Sequence, residues 1–219
     1  PQVLRIESNL ESVASIRSRS SMTRVCGLEL FDCEAKLNEI IGNVEGVDMG
    51  QIVKEGESFA VRVKRPRRSA LEIGRWKLEQ KIGGAIFTKI RNLRVDLKTP
   101  QKTFVGILIG DRFIFGLRVA EIKPKSFVER GPRKRVFFHP TAMPAKLARC
   151  MVNLAQPKRG ELVLDPFCGT GSFLVEAGLI GCRVLGFDAD RRMIEGTMRN
   201  LCYYGVEPEG LALADARSM

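Results

Sequence analysis

A glycine-rich junction between a strand and a helix is the feature that most constrains how this chain can fold. Residues 161–172 read ELVLDPFCGTGS, an apolar run that ends in Asp165 and leads to Gly169 and Gly171. Glycine allows the backbone to bend sharply and to approach a ligand closely. The residues that follow are again apolar, as at the start of a helix. The pattern therefore predicts a β-strand, a tight turn and a helix that together form a ligand site.

The acidic residues near this junction indicate which kind of ligand it binds. A dinucleotide-binding turn has a third glycine where this chain has Leu174, and a P-loop has a lysine that is absent here. A carboxylate at Asp165 would repel a pyrophosphate but attract an ammonium or sulfonium group. Two later apolar runs end in Asp188 and Asp215, which we expect to bind a ribose diol and an adenine edge. A positively charged adenosine derivative fits these acids, whereas a tight turn in an unrelated α/β domain would leave them unexplained.

The string DPFCGTGS at residues 165–172 resembles the first motif of Rossmann-like S-adenosylmethionine-dependent methyltransferases, in the form typical of those that methylate RNA guanine amines. The resemblance implies S-adenosyl-L-methionine as the cofactor. Residues 138–141 are similar to the F-x-H-P-like segment that lies beside the methionine end of the cofactor in that family, although His139 could equally be a structural loop residue. The cofactor-binding residues that the resemblance implies are Phe138, His139, Pro140, Thr141, Asp165, Pro166, Cys168, Gly169, Thr170, Gly171, Asp188, Ala189, Asp215 and Ala216.

Positive charge is concentrated in the middle of the chain. Residues 54–135 hold 22 Lys and Arg against 8 Asp and Glu, while the rest holds 14 against 17, and the net charge is +11. A folded basic block of this kind predicts a polyanionic partner, and we expect nucleic acid. A solvated charged surface without a partner is the alternative.

Composition argues against membrane-spanning and zinc-binding classes. No apolar run reaches 18 residues, and no charged-then-apolar leader opens the chain. None of the six cysteines forms a C-x-x-C pair, and one histidine cannot complete a Cys/His zinc set, so we expect no metal. The cysteines are predicted to be free thiols, mostly buried, which indicates a reducing, cytoplasmic compartment.

The basic block also has the pattern of an α/β module. A strand around Val61, a helix whose capping box begins at Ser69, and a hairpin across residues 110–111 follow in order. Residues 34–123 resemble a THUMP domain, an RNA-binding module of tRNA-modifying enzymes, which implies tRNA as the partner; a basic domain that binds protein is the alternative.

Trp76 is predicted to pack in a core or between domains. The predicted RNA-binding residues are Lys64, Arg65, Arg67, Arg68, Arg75, Lys89, Arg91, Arg133, Lys134 and Arg135.

We predict an α/β chain in which an N-terminal α+β RNA-binding region (ferredoxin-like plus THUMP) precedes a partial Rossmann-like methyltransferase sheet. The predicted domains are a ferredoxin-like part at residues 1–33, a THUMP-like domain at 34–123, a linker at 124–139 and an S-adenosylmethionine-binding domain at 140–219.

Local patterns add several elements to this scheme. Residues 3–7 alternate like a strand, and Asp32 is placed to cap the helix that follows it. Residues 17–24 are predicted to form a Ser/Arg-rich connection. A helix at 146–154 is predicted to bury a face made by Leu147, Met151 and Leu154. The strand at 162–164 is predicted to be covered on both faces.

Together these segments resemble the archaeal tRNA (guanine(10)-N(2))-methyltransferase family. The resemblance implies S-adenosylmethionine-dependent methylation of the exocyclic amine of a tRNA guanine, at position 10. Members carry an Asp- or Asn-Pro-Pro-Tyr loop that holds the guanine amine toward the methyl group. This loop does not occur in the 219 residues, so no catalytic residue is assigned and the chain alone is predicted to be inactive.

Two alternatives remain open at this point. One is an amino-methyltransferase that acts on another RNA or on DNA, and the other is a non-catalytic RNA-binding protein with a vestigial methyltransferase fold. We expect the full-length protein to be a monomer. The edge of the strand at 162–164 is expected to pair with further residues or with another chain.

Overall fold

The computed structural model describes residues 3–65, 73–122 and 125–218. In chain order its helices and strands are α1 (Glu11–Arg19), β1 (Val25–Glu34), α2 (Leu37–Gly46), β2 (Ser58–Lys64), α3 (Arg75–Phe87), β3 (Arg94–Val95), β4 (Lys102–Ile109), β5 (Arg112–Glu121), α4 (Lys125–Glu129), α5 (Ala145–Leu154), β6 (Leu162–Asp165), α6 (Ser172–Gly178), β7 (Arg183–Asp188), α7 (Arg191–Tyr203) and β8 (Gly210–Leu213). Across these described ranges, no helix is both long and apolar enough to cross a membrane.

The chain folds into two compact units, and the boundaries of these units differ from those of the predicted domains. The first unit contains the residues up to Ser8 together with Val25–Glu121. The second unit contains Asn9–Arg24 together with the residues from Ile122 onward. The predicted boundary at residue 33 falls inside β1 (Val25–Glu34). Since β1 pairs with β5 along its whole length, both sides of that boundary belong to one strand of the same sheet.

A five-stranded sheet in the order β1-β5-β4-β2-β3 forms the first unit together with α2 and α3. β4 and β5 are antiparallel across a two-residue turn in which Gly110 has a φ of 58°, so the predicted hairpin is confirmed. Alternate residues of β2, including Phe59 and Val61, are buried in a core shared with the two helices. In that core the rings of Phe104 and Phe115 stack with centroids 5.6 Å apart.

The N-terminal region departs most from the sequence-based expectations. Residues 3–9 form no strand, and α1 occupies part of the predicted Ser/Arg-rich connection. α2 has no side-chain cap, so the prediction that Asp32 caps it is wrong. Asp32 lies within β1, where Arg112 and Arg5 bind its carboxylate and lower its pKa. The predicted capping box at Ser69 lies outside the described residues.

A three-stranded parallel sheet in the order β6-β7-β8 forms the second unit, and it shares one core with α5, α6 and α7. Leu174 and Leu201 are fully buried there. The prediction that the strand at 162–164 is covered on both faces is wrong, since Leu162 and Leu164 are 48% and 50% exposed. Within the described residues β6 pairs with β7 alone and forms an edge of the sheet.

The segment predicted as a linker, residues 124–139, contains regular structure that belongs to the second unit. It includes α4 and a 3-10 turn at Pro132–Lys134. Phe127 of α4 is 9% exposed, and the Arg130 guanidinium lies 4.7 Å from the centroid of its ring. The basic residues of this segment are therefore partly used in packing.

α5 buries a different face from the one predicted. The predicted apolar face, Leu147, Met151 and Leu154, is 45%, 44% and 76% exposed. The buried face includes Ala148 and Arg149 instead. Apolar spacing identified the helix correctly, but its buried face combines the small apolar residues Ala145, Ala148 and Val152 with Arg149, which pairs with Glu176 of α6.

A buried carboxylate, Glu176 of α6, connects the helices of the second unit. Its side chain is unexposed and accepts hydrogen bonds from Arg130 Nε at 2.7 Å and from Arg149 Nη2 at 2.8 Å. Burial lowers the pKa of Arg149, and the charge of Glu176 opposes that effect. Arg149 Nη1 also donates to Ser18 O in α1 at 3.1 Å. Glu176 therefore links α6 to α5 and to the segment before α5, and Arg149 extends this network to α1.

We expect Glu176→Ala to lower the free energy of unfolding by about 3 to 5 kcal/mol, because it leaves buried guanidinium charge without a counter-charge. Glu209→Ala is the matched control, since Glu209 pairs with Arg183 at the surface and its removal should have a much smaller effect. Chemical denaturation followed by circular dichroism measures both. Equal stability of the two variants would contradict the role of Glu176 as a link between helices.

Candidate functional site

The turn between β6 and α6 has a backbone conformation that glycine adopts readily and other residues do not. Gly169 and Gly171 have φ values of 53° and 74°. Gly171 N donates to Cys168 O at 2.7 Å and closes the turn immediately before α6. A Cβ atom at Gly171 would lie 2.8 Å from Thr197 Cγ2 of α7, too close for a larger residue. The predicted order of strand, glycine turn and helix is confirmed.

Two side chains of α7 hold this glycine turn, residues 168–171, in place. Thr197 Oγ1 donates to Gly169 O at 2.7 Å, and Asn200 Nδ2 donates to Thr170 O at 3.0 Å. Both side chains are completely buried. Because a buried carbonyl group without a partner is unfavourable, these bonds fix the turn relative to α7.

Asp165 and Asp188 lie at the ends of adjacent strands beside the glycine turn. Asp165 Oδ1 accepts from Phe167 N at 3.1 Å, while its Oδ2 is buried and has no partner among the described residues. Burial, and then the nearby charge of Asp188, raises the pKa of Asp165. Asp188 Oδ2 accepts from Gly169 N at 2.8 Å. A buried carboxylate oxygen without a partner is suited to a cationic ligand.

The third predicted acid, Asp215, has a different environment. It follows β8 and forms an exposed ion pair in which Arg217 Nη2 lies 2.7 Å from Asp215 Oδ2. This partner lowers the pKa of Asp215. The structure therefore brings Asp165 and Asp188 together at the turn, while Asp215, just beyond the end of β8, is already paired with Arg217.

Cys168 packs inside the turn. Its side chain is 4% exposed, and burial raises the pKa of its thiol to about 11, so the thiol is neutral at physiological pH. Gly186 of β7 makes room for it, because a Cβ atom there would lie 3.2 Å from Cys168 Cβ. In the part of the chain that the structure describes, no group of three His, Cys, Asp or Glu residues is placed to hold a metal ion.

Residues 138–141 lie in the loop that precedes α5. His139 Nδ1 is 2.8 Å from Thr141 Oγ1, and Ala142 N donates to His139 O at 3.0 Å, so this part of the loop is a local turn. Phe138 remains 42% exposed. The outer part of the loop therefore offers polar and aromatic groups that are not buried in a core.

Arg135, at the start of this loop, is buried, in contrast to its predicted role in RNA binding. It is 5% exposed and donates to Ser172 Oγ at 2.6 Å and to Met143 O at 3.2 Å. Burial lowers its pKa. Its guanidinium group therefore organises the loop beside the glycine turn and cannot reach a phosphate at the surface.

The other predicted RNA-binding residues are mostly at the surface. Arg65 is partly buried and donates to Ile73 O, whereas Arg67 and Arg68 lie outside the described residues. Trp76 is 67% exposed, so the prediction that it packs in the core of its own unit is wrong. The exposed members of the set are Lys64, Arg75, Lys89, Arg91, Arg133 and Lys134.

Sequence reasoning missed the residues that hold the site together. Thr197 and Asn200 both contact the glycine turn, yet neither lies in a motif that identified them. A signal was present, because Gly196, Thr197 and Asn200 place small or polar residues on one side of an amphipathic helix. Polar residues on a buried helix face are unusual unless they bind main-chain groups.

Comparison with protein families identifies two domains. Residues 34–118 match the THUMP domain, and residues 132–216 match the family described as RMKL-like, methyltransferase domain. The second match contains the glycine turn, both acids beside it and α7.

Two curated relatives are similar over most of the chain. A tRNA (guanine(10)-N2)-dimethyltransferase of Methanothermobacter thermautotrophicus is 43% identical over 191 residues, which are 84% of this chain and 56% of that protein. A protein of the same name from Pyrococcus abyssi is 37% identical over 213 residues, which are 97% of this chain and 61% of that protein. The chain thus spans somewhat more than half the length of these relatives.

Solved structures share the fold. TrmN from Thermus thermophilus matches with a TM-score of 0.59 and 21% identity, covering 98% of this chain and 62% of that one. SMU.472 in complex with SAH matches with a TM-score of 0.57 and 16% identity, covering 93% of this chain and 65% of that one. The predicted fold class, a THUMP region followed by a Rossmann-like methyltransferase sheet, is confirmed.

Proposed function

We propose that this protein, which carries a THUMP domain and an RMKL-like methyltransferase domain, methylates the exocyclic amine of a guanine in tRNA. The proposed guanine is at position 10, and the proposed cofactor is S-adenosyl-L-methionine. The observation that carries this proposal is the glycine turn beside Asp165, whose buried Oδ2 has no partner among the described residues. The names of the two archaeal relatives support the substrate.

The residues around the turn fit this cofactor by charge. S-adenosylmethionine supplies, when bound, a methyl group on a positively charged sulfur. Asp165 would attract its cationic end, and the free Oδ2 would gain the partner that it lacks. Asp188 would accept from the ribose hydroxyl groups with its remaining acceptor capacity while it holds Gly169 N. A Cβ atom at Gly169 would meet only Phe167 O, at 4.0 Å, so the space beside Gly169 is open.

The remaining contacts are proposed from position. Asp215 would bind the adenine edge from the end of β8, although its pairing with Arg217 makes it the weakest of the three acids as a ligand. The loop before α5 would lie beside the methionine end of the cofactor. The further residues proposed to line the site are Phe138, His139, Pro140, Thr141, Pro166, Thr170, Ala189 and Ala216.

tRNA is the proposed partner of the first unit. Exposed cations such as Lys64, Arg75 and Arg91 lie on β2, at the start of α3 and after its end. Exposed Lys and Arg side chains bind phosphate groups and release condensed counterions from the nucleic acid. These cations would bind and orient the tRNA, while the second unit would bind the cofactor.

Removal of the gene in the source organism tests the whole proposal. Mass spectrometry of its tRNA should then detect no N2-methylguanosine or N2,N2-dimethylguanosine at position 10, and the gene on a plasmid should restore them. Unchanged methylation at position 10, with methyl groups lost from another RNA or from DNA, would favour a different amino-methyltransferase.

We expect Asp165→Asn to weaken S-adenosylmethionine binding about 10- to 100-fold at pH 7, the usual value of a hydrogen bond to a charged group. The raised pKa of Asp165 also predicts a pH dependence. As the pH falls, the Asp165 carboxylate becomes protonated at a higher pH than an exposed aspartate, so the wild-type affinity for the cofactor decreases, whereas the Asn variant lacks this component of the pH dependence.

Calorimetry with the cofactor measures both effects. Asp190→Asn is the control, because Asp190 is exposed, caps α7 through Arg192 N and lies outside the proposed ligand set. An Asp165→Asn variant that binds as tightly as the wild type at pH 7 would remove the assignment of Asp165.

We expect tRNA binding to weaken about 10³-fold or more between 50 and 200 mM salt if about six phosphate contacts are made. Arg91→Glu should weaken binding and reduce this salt dependence without changing cofactor affinity. Arg199→Glu is the charge-matched control, because Arg199 is exposed on α7 in the second unit. Filter binding over a salt series measures both variants, and equal loss in the two would contradict a specific role of the first unit.

A further inference from the structure

The loop beside the glycine turn is closed at its base. We call residues 135–143 the strap. Arg135 Nη2 donates to Met143 O at 3.2 Å, so the two ends of the strap are joined directly. Ser172 Oγ accepts from Arg135 Nη1 at 2.6 Å and donates to Met143 O at 3.3 Å. The strap is therefore a compact loop with adjacent ends, of the kind called an Ω-loop, attached at its base to the first residue of α6.

Asn200 of α7 attaches the strap a second time. Its Oδ1 accepts from Phe137 N at 2.9 Å, and its Nδ2 donates to Phe137 O at 3.0 Å. The same Nδ2 donates to Thr170 O of the glycine turn at 3.0 Å. A single, completely buried side chain thus satisfies main-chain groups of both the strap and the turn.

The ring of Phe137 fits against a gap in α7. A Cβ atom at Gly196 would lie 2.1 Å from a carbon of this ring, so no larger residue is compatible with the ring in this place. Arg192, on the same helix as Gly196, places its guanidinium group 6.0 Å from the centroid of the Phe137 ring. The side chain and the main chain of Phe137 are therefore both held by α7.

The outer strap depends on these attachments for its position. Between the short 3-10 turn at Pro132–Lys134 and α5 the strap contains no helix and no strand, so no ladder of backbone bonds holds it. Its outer residues, including Phe138 and Pro140, are exposed. A loop without regular structure can present groups to a ligand only if fixed contacts order it beforehand.

We propose that Asn200 is a positioning residue of the cofactor site: it locks the strap to the glycine turn, so that residues 138–141 and Asp165 act on one bound molecule. This inference rests on the proposed function, since it concerns the same site. Asn200 touches no ligand itself and acts through Phe137 and Thr170. Binding of S-adenosylmethionine and ordering of the strap are coupled through the contacts that Asn200 and Gly196 of α7 make with Phe137.

Asn200→Ala tests the proposal, with Asn153→Ala as the matched control. Asn153 also donates from its Nδ2 to a main-chain oxygen, Arg19 O at 3.0 Å, but it lies on α5 and contacts α1. Hydrogen exchange of the ligand-free proteins should show lost protection at the amide of Phe137 in the Asn200 variant and unchanged protection there in the control. Calorimetry should show S-adenosylmethionine affinity reduced about tenfold or more in the Asn200 variant alone.

Gly196→Ala is a second variant that should detach the strap from α7, because the added methyl group displaces the Phe137 ring while the Asn200 side chain is retained. It should reproduce both the lost protection and the weaker affinity, and it keeps the test decisive if Asn200→Ala does not fold. Wild-type affinity in a folded Asn200 or Gly196 variant would overturn the positioning role alone. A wild-type chain that does not bind S-adenosylmethionine at all would overturn the proposed function and the positioning role together.

Discussion

The buried carbonyl groups of the glycine turn are the constraint on which the rest of the second unit depends. Positive φ values at Gly169 and Gly171 bend the chain so sharply that the carbonyl groups of Gly169 and Thr170 face α7. Thr197 and Asn200 satisfy them, and a helix placed elsewhere would leave both unpaired. The position of α7 then fixes the strap, while Asp188, bonded to Gly169 N, fixes the turn against β7.

Arginine has two separate uses in this protein, and exposure distinguishes them. In the first unit, residues such as Arg75 and Arg91 are exposed, and their charge is available to a polyanion. In the second unit, Arg135 and Arg149 are buried and bind main-chain oxygens, a hydroxyl group and the carboxylate of Glu176. A count of basic residues along the chain therefore overestimates the positive surface near the glycine turn.

Predictions from sequence succeeded where neighbouring residues decide the structure and failed where distant ones do. The hairpin across Gly110 follows from two strands and a short turn, all within one segment. The face of α5 was predicted wrongly because its longer apolar side chains lie on the exposed side, while Ala148, Val152 and Arg149 form the buried side and the partner of Arg149, Glu176, is distant in sequence. α1 was missed because it buries no residue of its own, and bonds from Arg149 and Asn153 hold its end.

The sequence by itself determined the strand, the glycine turn and the helix, the acids at or just beyond the strand ends, and the concentration of basic residues in the middle of the chain. These features need only local spacing and charge, which the order of residues contains. The tertiary structure alone decided that Asp215 is paired, that Arg135 is buried, and that Asn200 joins the strap to the turn. Each of these depends on which main-chain groups lose contact with water when distant segments pack together, and that is settled only by the folded chain.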